Sequence, residues 1–208
     1  MKRAFSPTEV ITMKKRVFNF ENEFYEAFET PETCGVWFIW GNSGNGKTSF
    51  VMQLAKELCK HAKVCYNSLE EGCSLTMRNA LSRYEMTDVN KRFQLLDCEP
   101  MSDLVTRLKS KRSADVAIID SFQYSQLTYK QYIELKQELK HKLLIFISHA
   151  DGKQPAGRSA KSVMYDASLK IWVEGYRAMS KGRFIGPNGG TFTIWDDGAQ
   201  RYWGDKNL

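Results

Sequence analysis

Residues 41–48 read Gly-Asn-Ser-Gly-Asn-Gly-Lys-Thr, which is the residue spacing of a loop that holds nucleotide phosphates. The glycines let the backbone curl so that its N–H groups converge on phosphate oxygens, and a following helix adds the positive end of its dipole. Lys47 would reach the β and γ phosphates, and the Thr48 hydroxyl would bind Mg²⁺. The predicted nucleotide-binding residues are Gly41, Asn42, Ser43, Gly44, Asn45, Gly46, Lys47, Thr48 and Ser49.

Acidic side chains follow two further apolar runs. Residues 116–119 are apolar and end in Asp120, so that a carboxylate at the carboxyl end of a buried strand is available to Mg²⁺. Asp115 precedes the same run and is interpreted as a surface residue. Residues 63–67 lead into Glu70 and Glu71, and one of these could orient an attacking water as general base. We favour Glu70; the alternative is that both acids only begin the next helix.

The elements that must position these residues follow from periodicity. Short apolar runs bounded by turns alternate with helical stretches, which is typical of a parallel sheet covered on both faces. The predicted strands are 36–40, 63–67, 92–96, 116–119, 143–148 and 169–174, and the predicted helices are 47–60, 74–83, 101–110 and 129–140. A Gly-Pro-Asn-Gly-Gly turn between residues 183–185 and 191–195 predicts a C-terminal β-hairpin.

The length of 208 residues suits one α/β domain over residues 34–208, preceded by an arm or oligomerisation segment over residues 1–33. In that first segment Phe18, Phe20, Phe24, Tyr25 and Phe28 follow a Lys-Lys-Arg cluster at near-helical spacing. Such spacing favours packing against a core or a neighbouring subunit, and contact with nucleic acid is the alternative.

Composition limits the class of partner. Thirty Lys and Arg against 24 Asp and Glu give a net charge of +6, which favours polyanions, although a plain soluble surface explains it equally well. Five cysteines without a Cys-x-x-Cys pair indicate neither a disulfide framework nor a zinc site, so we expect a cytoplasmic protein. No apolar run approaches the ~20 residues that span a bilayer, so no membrane association is expected.

Several motifs occur in a fixed order along the chain. After the phosphate-binding loop come Ser-Leu-Glu ending at Glu70, Ile-Ile-Asp-Ser-Phe-Gln around Asp120, Ile-Ser-His-Ala-Asp-Gly-Lys around His149, and Lys-Gly-Arg-Phe from Lys181. Together they resemble the RecA-like P-loop ATPases, especially the RadA and DnaB branch. The resemblance implies a mostly parallel, twisted α/β sheet with helices on both faces, and hydrolysis of ATP with Mg²⁺.

The resemblance also implies roles for individual residues. Glu70 is then the catalytic glutamate, and His149 senses the γ-phosphate. Lys181 and Arg183 would enter the nucleotide site of a neighbouring subunit and stabilise charge there; a solvated face is the alternative from the residues alone. ATP at subunit junctions implies a homo-oligomer, either a ring or a filament.

In that fold, DNA contacts come from loops that follow the strand ending in Asp120 and the strand ending in His149. The first loop, residues 123–129, has no basic residue. The second, residues 151–161, carries Lys153, Arg158 and Lys161 among glycines, so it is predicted to be flexible and to track single-stranded DNA. An ordinary solvent loop is the alternative.

The chain also departs from those families. RadA has an N-terminal zinc element and a C-terminal protease-like domain, and neither can be fitted to this sequence. DnaB has an N-terminal helical domain, for which residues 1–33 are too few. Within the RadA signature, Gly182 replaces an Asn. A core-only ATPase is most similar to phage-type proteins of DNA recombination and repair that promote single-strand annealing. The rival functions are a DnaB-type helicase core, a nucleotide-gated recruitment module without turnover, and a small-molecule kinase, for which no arginine-rich lid is visible.

Overall fold

The structure is a computed structural model and describes residues 3–204 of the chain. Its centre is a β-sheet with the strand order β3-β2-β4-β5-β1-β7-β8-β9, and the short β6 pairs with β5. The strands are β1 (Gly35–Gly41), β2 (Val64–Ser68), β3 (Phe93–Asp97), β4 (Val116–Asp120), β5 (Leu143–Asp151), β6 (Gln154–Pro155), β7 (Leu169–Glu174), β8 (Arg177–Gly182) and β9 (Gly190–Thr193).

Six of these strands run parallel, and the last two turn back. Strands β3, β2, β4, β5, β1 and β7 pair in parallel, while β7 with β8 and β8 with β9 pair antiparallel. The carboxyl ends of the parallel strands therefore meet along one edge of the sheet. This confirms the predicted α/β class and all six predicted parallel strands.

Helices cover both faces of the sheet. They are α1 (Pro7–Thr12), α2 (Asn22–Phe28), α3 (Lys47–Leu58), α4 (Leu75–Arg83), α5 (Met101–Lys109), α6 (Phe122–Ser125), α7 (Tyr129–Glu138), α8 (Arg158–Asp166) and α9 (Asp196–Trp203), with a 3₁₀ helix at Met86–Val89. Trp37 and Ile39 of β1 pack on the face that holds α3, while Val36 and Phe38 pack on the face that holds α5 and α7. This alternation is what a strand buried on both faces produces.

The aromatic side chains of the N-terminal segment pack onto the sheet domain. Phe18, Phe20 and Phe28 are buried in the same core cluster as α3. Phe24 lies against Phe192 of β9, with ring centroids 4.6 Å apart. The predicted preference for core packing therefore holds for these rings, whereas Tyr25 is exposed.

Two local predictions were wrong. Residues 183–185 are not a strand: β8 ends at Gly182, and the Gly-Pro-Asn-Gly-Gly segment lies inside a longer connection to β9. The turn that precedes β8 is Gly175-Tyr176, where both residues have positive φ. Residues 151–161 do not form a flexible loop, since β5 continues to Asp151, β6 follows and α8 begins at Arg158.

Within residues 3–204 no helix is long and apolar enough to cross a membrane.

Candidate nucleotide-binding site

The predicted site residues from three strands meet at the carboxyl edge of the sheet. Gly41 of β1 pairs in register with His149 of β5, and Ser68 of β2 pairs with Asp120 of β4. A cleft of about 340 Å³ opens above these strand ends, and ligands of open α/β sheets bind at this position. It is lined by Ser43, Gly44, Gly46, Lys47, Thr48, Ser49, Glu70, Glu71, Asp120, Ser121, Ile147, Ser148, His149 and Tyr176.

The phosphate-binding loop has the backbone shape that its glycines permit. Gly46 has φ of 94° and caps the N-terminus of α3, which begins at Lys47. A side chain at Gly41 would come within 2.2 Å of the Val173 carbonyl oxygen on β7, so only glycine fits there. The Asn45 side chain accepts a hydrogen bond from the Gly175 N–H at 2.8 Å and thereby ties the loop to the turn after β7.

Lys47 lies folded over its own loop. Its Nζ donates to the carbonyl oxygens of Gly41 at 2.7 Å and Asn42 at 3.0 Å. Burial lowers the pKa of Lys47, and the negative charges of Asp120 and Glu70 oppose that shift. A cation at the N-terminus of a helix suits a site for anionic phosphate, and the carboxylates beside it suit the metal ion that accompanies phosphate.

Asp120 sits deeper, beneath the cleft. Its carboxylate accepts a short hydrogen bond from the hydroxyl of Tyr66, which is buried in β2. Burial raises the pKa of Asp120 to about 6, and the nearby charges of Glu70 and Glu71 also raise it, whereas the Tyr66 hydrogen bond and Lys47 lower it. A carboxylate with such a perturbed pKa in a cleft marks a candidate functional site.

Glu70 and Glu71 take different partners. Glu70 Oε2 accepts a hydrogen bond from His149 Nε2 at 2.9 Å. Glu71 Oε2 accepts from the Thr76 hydroxyl at 2.8 Å, at the start of α4. Glu71 thus has the helix-starting role that was the alternative for both acids, while Glu70 faces the imidazole of His149 on β5.

The donor set fits Mg²⁺. The exposed Thr48 hydroxyl and the Asp120 carboxylate are oxygen ligands of the kind that Mg²⁺ takes alongside phosphate oxygens and water. Of the buried side-chain polar atoms between residues 3 and 204, only Trp37 Nε1 and Ser121 Oγ have no hydrogen-bond partner. Ser121 lines the cleft directly after Asp120, and its hydroxyl is buried there.

Lys181 and Arg183 lie away from this cleft. Lys181 pairs with Lys170 near the start of β7. The phosphate-binding loop follows the end of β1, which is level with the end of β7. Arg183 follows β8, and its N–H donates to the Ser168 carbonyl at 3.0 Å. Both side chains are exposed at the opposite end of the sheet, so neither lines this cleft.

Of the predicted DNA-binding residues, Lys153 lies beside the phosphate-binding loop, and Arg158 and Lys161 lie on α8. Lys153 occupies the turn between β5 and β6, and its carbonyl accepts from Trp40 Nε1 at 3.1 Å. The Asn42 side chain donates to the Gly152 carbonyl at 3.3 Å, so the loop and this turn are in direct contact. Arg158 and Lys161 are three residues apart in the first turn of α8, which places them on one helix face.

Tyr176 of the cleft and Gln123, which lies behind it, were not among the predicted site residues. The ring of Tyr176 lies beside the loop, since a side chain at Gly46 would come within 3.1 Å of it, and it packs edge-on against Trp195 with centroids 5.1 Å apart. Gln123 donates to Ser148 Oγ at 2.8 Å and to the Ala156 carbonyl at 2.9 Å. Gln123 was visible in the Asp-Ser-Phe-Gln motif, but no local pattern distinguishes Tyr176.

Comparison with known proteins identifies the fold. No protein-family model matches this chain, and a search of curated proteins found no match. The chain is similar to the flagellar accessory protein FlaH from Methanocaldococcus jannaschii, with a TM-score of 0.60 at 13% identity over 86% of this chain and 92% of that one. It is also similar to the KaiC-like protein PH0186 from Pyrococcus horikoshii OT3, with a TM-score of 0.56 at 17% identity over 81% and 94%. The chain therefore has the RecA-like P-loop fold that its motifs predict.

Proposed function

We propose that this chain is a Mg²⁺-dependent ATP hydrolase. The observation that carries the proposal is the meeting of Lys47, Asp120 and Glu70 in one cleft at the N-terminus of α3. They supply a cation for phosphate, a carboxylate for the metal and a second carboxylate for the attacking water. These are the parts that phosphoryl transfer to water requires.

Each residue has a defined task in the proposed reaction. The loop N–H groups and Lys47 hold the β and γ phosphates, and Lys47 exchanges its bonds to the loop carbonyls for bonds to phosphate oxygens. Thr48 and Asp120 would hold the metal, which would supply positive charge to the phosphates. Glu70 accepts the proton of the water that attacks the γ-phosphorus, and the bond to the bridging oxygen breaks to release ADP. His149 holds Glu70 in position through its hydrogen bond.

Steady-state release of phosphate from ATP tests this proposal. We expect turnover with Mg²⁺ by the wild type, loss of nucleotide binding in Lys47→Ala, and loss of turnover with retained binding in Glu70→Gln. Glu71→Gln is the matched control, because Glu71 is bonded to Thr76 and not to His149. If Glu71→Gln abolishes turnover and Glu70→Gln does not, the assignment of the base is wrong.

The second part of the proposal is that subunits share the site. Lys181 and Arg183 lie at the end of the sheet remote from their own cleft, which supports a role in the cleft of a neighbouring copy in a head-to-tail ring or filament. There the positive charges would stabilise the transition state in trans.

The third part of the proposal is that the protein binds single-stranded DNA and uses ATP hydrolysis in recombination or annealing. Lys153, Arg158 and Lys161 offer cationic contacts, and the hydrogen bonds Asn42 to Gly152 and Trp40 to Lys153 link the turn that carries Lys153 to the phosphate-binding loop and β1. Acceleration of ATP turnover by single-stranded DNA and annealing of complementary strands are the expected results. Unwinding of a forked duplex would indicate the helicase alternative.

A nucleotide-gated recruitment module is the second candidate. It is favoured by the exposed apolar side chains of Val10, Ile11 and Met13 in and after α1, of which Ile11 is 81% exposed. Under this alternative the chain binds ATP tightly but never hydrolyses it, with or without DNA. The turnover measurement above separates the two.

A further inference from the structure

The amino end of the sheet, opposite the candidate nucleotide cleft, concentrates the positive charge of the chain. Six segments at this end, beside the starts of β3, β2, β4, β5 and β1, are here called the basic edge: residues 14–17, 32–34, 59–63, 90–92, 110–115 and 139–142. They contain eleven Lys and Arg and two carboxylates, those of Glu32 and Asp115. The other 19 Lys and Arg are outnumbered by 22 Asp and Glu. The edge therefore has a net charge of +9 and the rest of the chain a net charge of −3.

The segments of the basic edge are fixed to one another by backbone hydrogen bonds. The Val64 N–H donates to Arg92 O at 2.8 Å, and the Asp115 N–H donates to Lys63 O at 2.8 Å. The Leu143 N–H donates to Asp115 O at 3.0 Å, and the Gly35 N–H donates to Lys142 O at 3.0 Å. These bonds continue the sheet, so the segments stand side by side at the strand spacing, and five of them extend over about 19 Å.

The basic side chains line two adjoining clefts. The larger, of about 720 Å³, is lined on its basic side by Lys14, Lys15, Arg16, His61 and His141. The smaller is lined by Lys63, Lys91, Arg92 and Arg112. Between residues 3 and 204, Lys63, Lys91, Lys111, Arg112 and Lys140 form no ion pair.

A surface kept only for solubility carries interspersed charges of both signs in similar numbers, whereas this edge has eleven Lys and Arg against two carboxylates. Like charges within about a Debye length repel, so their concentration along about 19 Å favours a polyanionic partner. No exposed aromatic side chain lies in these segments, so neither base stacking nor an aromatic anchor at a membrane interface is available. We infer that the basic edge binds the sugar-phosphate backbone of a nucleic acid without reading its sequence.

This inference does not rest on the proposed ATPase activity. It places a binding surface at the other end of the sheet from Lys153, Arg158 and Lys161, so that the molecule has two separate cationic faces. Because the contact is electrostatic, its affinity should fall steeply with salt. The logarithmic slope is about −0.7 per phosphate contact for single strands and about −0.9 for duplex.

The test is fluorescence anisotropy of labelled oligodeoxythymidylate, of duplex DNA and of single-stranded RNA, each without nucleotide and over a range of salt. The edge variant is Lys91→Gln with Arg112→Gln, whose side chains make no hydrogen bond among the described residues. The control is Arg78→Gln with Lys130→Gln, which removes the same charge from exposed positions on α4 and α7. Circular dichroism and the melting temperature show that each variant is folded.

We expect the edge variant to bind roughly 5- to 25-fold more weakly at about 0.1 M salt, with a slope smaller by about 1.4, since each lost contact costs about 5-fold there. The control should stay within about twofold of the wild type. The inference is wrong if the edge variant keeps wild-type affinity and slope, or if the wild type binds phosphatidylserine vesicles but none of the nucleic acids. ATP turnover, measured in parallel, should be unchanged in the edge variant without DNA. If the wild type shows no ATP turnover, the proposed ATPase activity is refuted, but the binding comparison between the wild type and the edge variant still tests the basic edge.

Discussion

The carboxylate of Glu70 accepts a hydrogen bond from Nε2 of His149 at 2.9 Å, which connects the segment after β2 to the end of β5. Strand β4, which ends in Asp120, lies between these two strands in the sheet. The bond therefore crosses above Asp120 and closes one side of the cleft. A group that displaces His149 also frees the residue proposed to activate water.

This relationship predicts different outcomes for two His149 variants. His149→Ala removes the hydrogen bond and should lower kcat about 10-fold or more, with little change in the KM for ATP, because general-base catalysis contributes ~10²–10⁴. His149→Gln keeps a side-chain donor and should restore part of the loss. If both variants turn ATP over at the wild-type rate, the hydrogen bond has no role in catalysis.

Lys47 is predicted to bind nucleotide and not to stabilise the fold. Its bonds go only to carbonyl oxygens of its own loop, so Lys47→Ala should change the melting temperature little. We expect calorimetric affinity for ADP with Mg²⁺ to fall by about 100-fold or more, as charge-assisted bonds to phosphate are lost. Lys130→Ala, at an exposed position of α7, is the control and should bind ADP as the wild type does.

Asp120 should reduce the stability of the ligand-free protein at neutral pH. Burial raises the pKa of Asp120 from 3.8 to about 6, so the native state binds more protons than the unfolded state between those values. Stability linked to this group is thus highest below about pH 4 and declines as pH rises through about 6.

Asp120→Asn should therefore be more stable than the wild type at neutral pH, by up to about 3 kcal/mol, and the difference should shrink toward pH 4. The same variant should lose Mg²⁺-dependent nucleotide binding. Thermal unfolding over a pH series checks the first expectation, with Asp103→Asn, at an exposed position, as control. A difference that does not vary with pH would show that burial of the charge is not its cause.

Tyr176 is expected to position the nucleotide at the mouth of the cleft. Tyr176→Ala should raise the KM for ATP by about 10-fold, since stacking on an aromatic ring contributes ~1–3 kcal/mol per base, and kcat should change little. Tyr176→Phe keeps the ring and should behave as the wild type. Equal impairment of the two variants would assign the effect to the hydroxyl group.

Shared sites predict complementation between inactive subunits. Lys47→Ala and Arg183→Ala proteins should each lack turnover, and their mixture should recover part of it. In a mixed assembly some junctions combine an intact cleft with an intact Arg183. Mixing Lys47→Ala with Glu70→Gln gives no recovery if both changes act in the same cleft. If the mixture of Lys47→Ala and Arg183→Ala shows no recovery of turnover, Arg183 does not act in the cleft of a neighbouring subunit.

Much of the fold follows from local sequence. The apolar runs that form β1, β2, β4 and β5 are flanked by turns, and the polar residues after them mark their carboxyl ends. Because parallel strands bring those ends together, the sequence alone is enough to assign Lys47, Glu70, Asp120 and His149 to one edge of the sheet.

The errors came from signals that compete. The Gly-Pro-Asn-Gly-Gly stretch suggested a tight hairpin, but the sharp turn is Gly175-Tyr176, which no Asn-Gly or Gly-Gly pair marks. The glycines near Lys153 suggested a loop, yet Ala160, Val163 and Met164 recur three and four apart and form the buried face of α8. The basic edge could not be predicted from any local stretch of sequence, because its charged residues are spread over residues 14–142 and come together only through the order of the strands in the sheet.

The most direct test of the central claim is ATP turnover by the wild type and by Glu70→Gln, with nucleotide binding measured on the same preparations. The account predicts Mg²⁺-dependent turnover by the wild type, and unchanged ATP affinity but at least about a hundredfold lower turnover in Glu70→Gln. Equal turnover by the two proteins, or tight ATP binding without hydrolysis by the wild type, would contradict it.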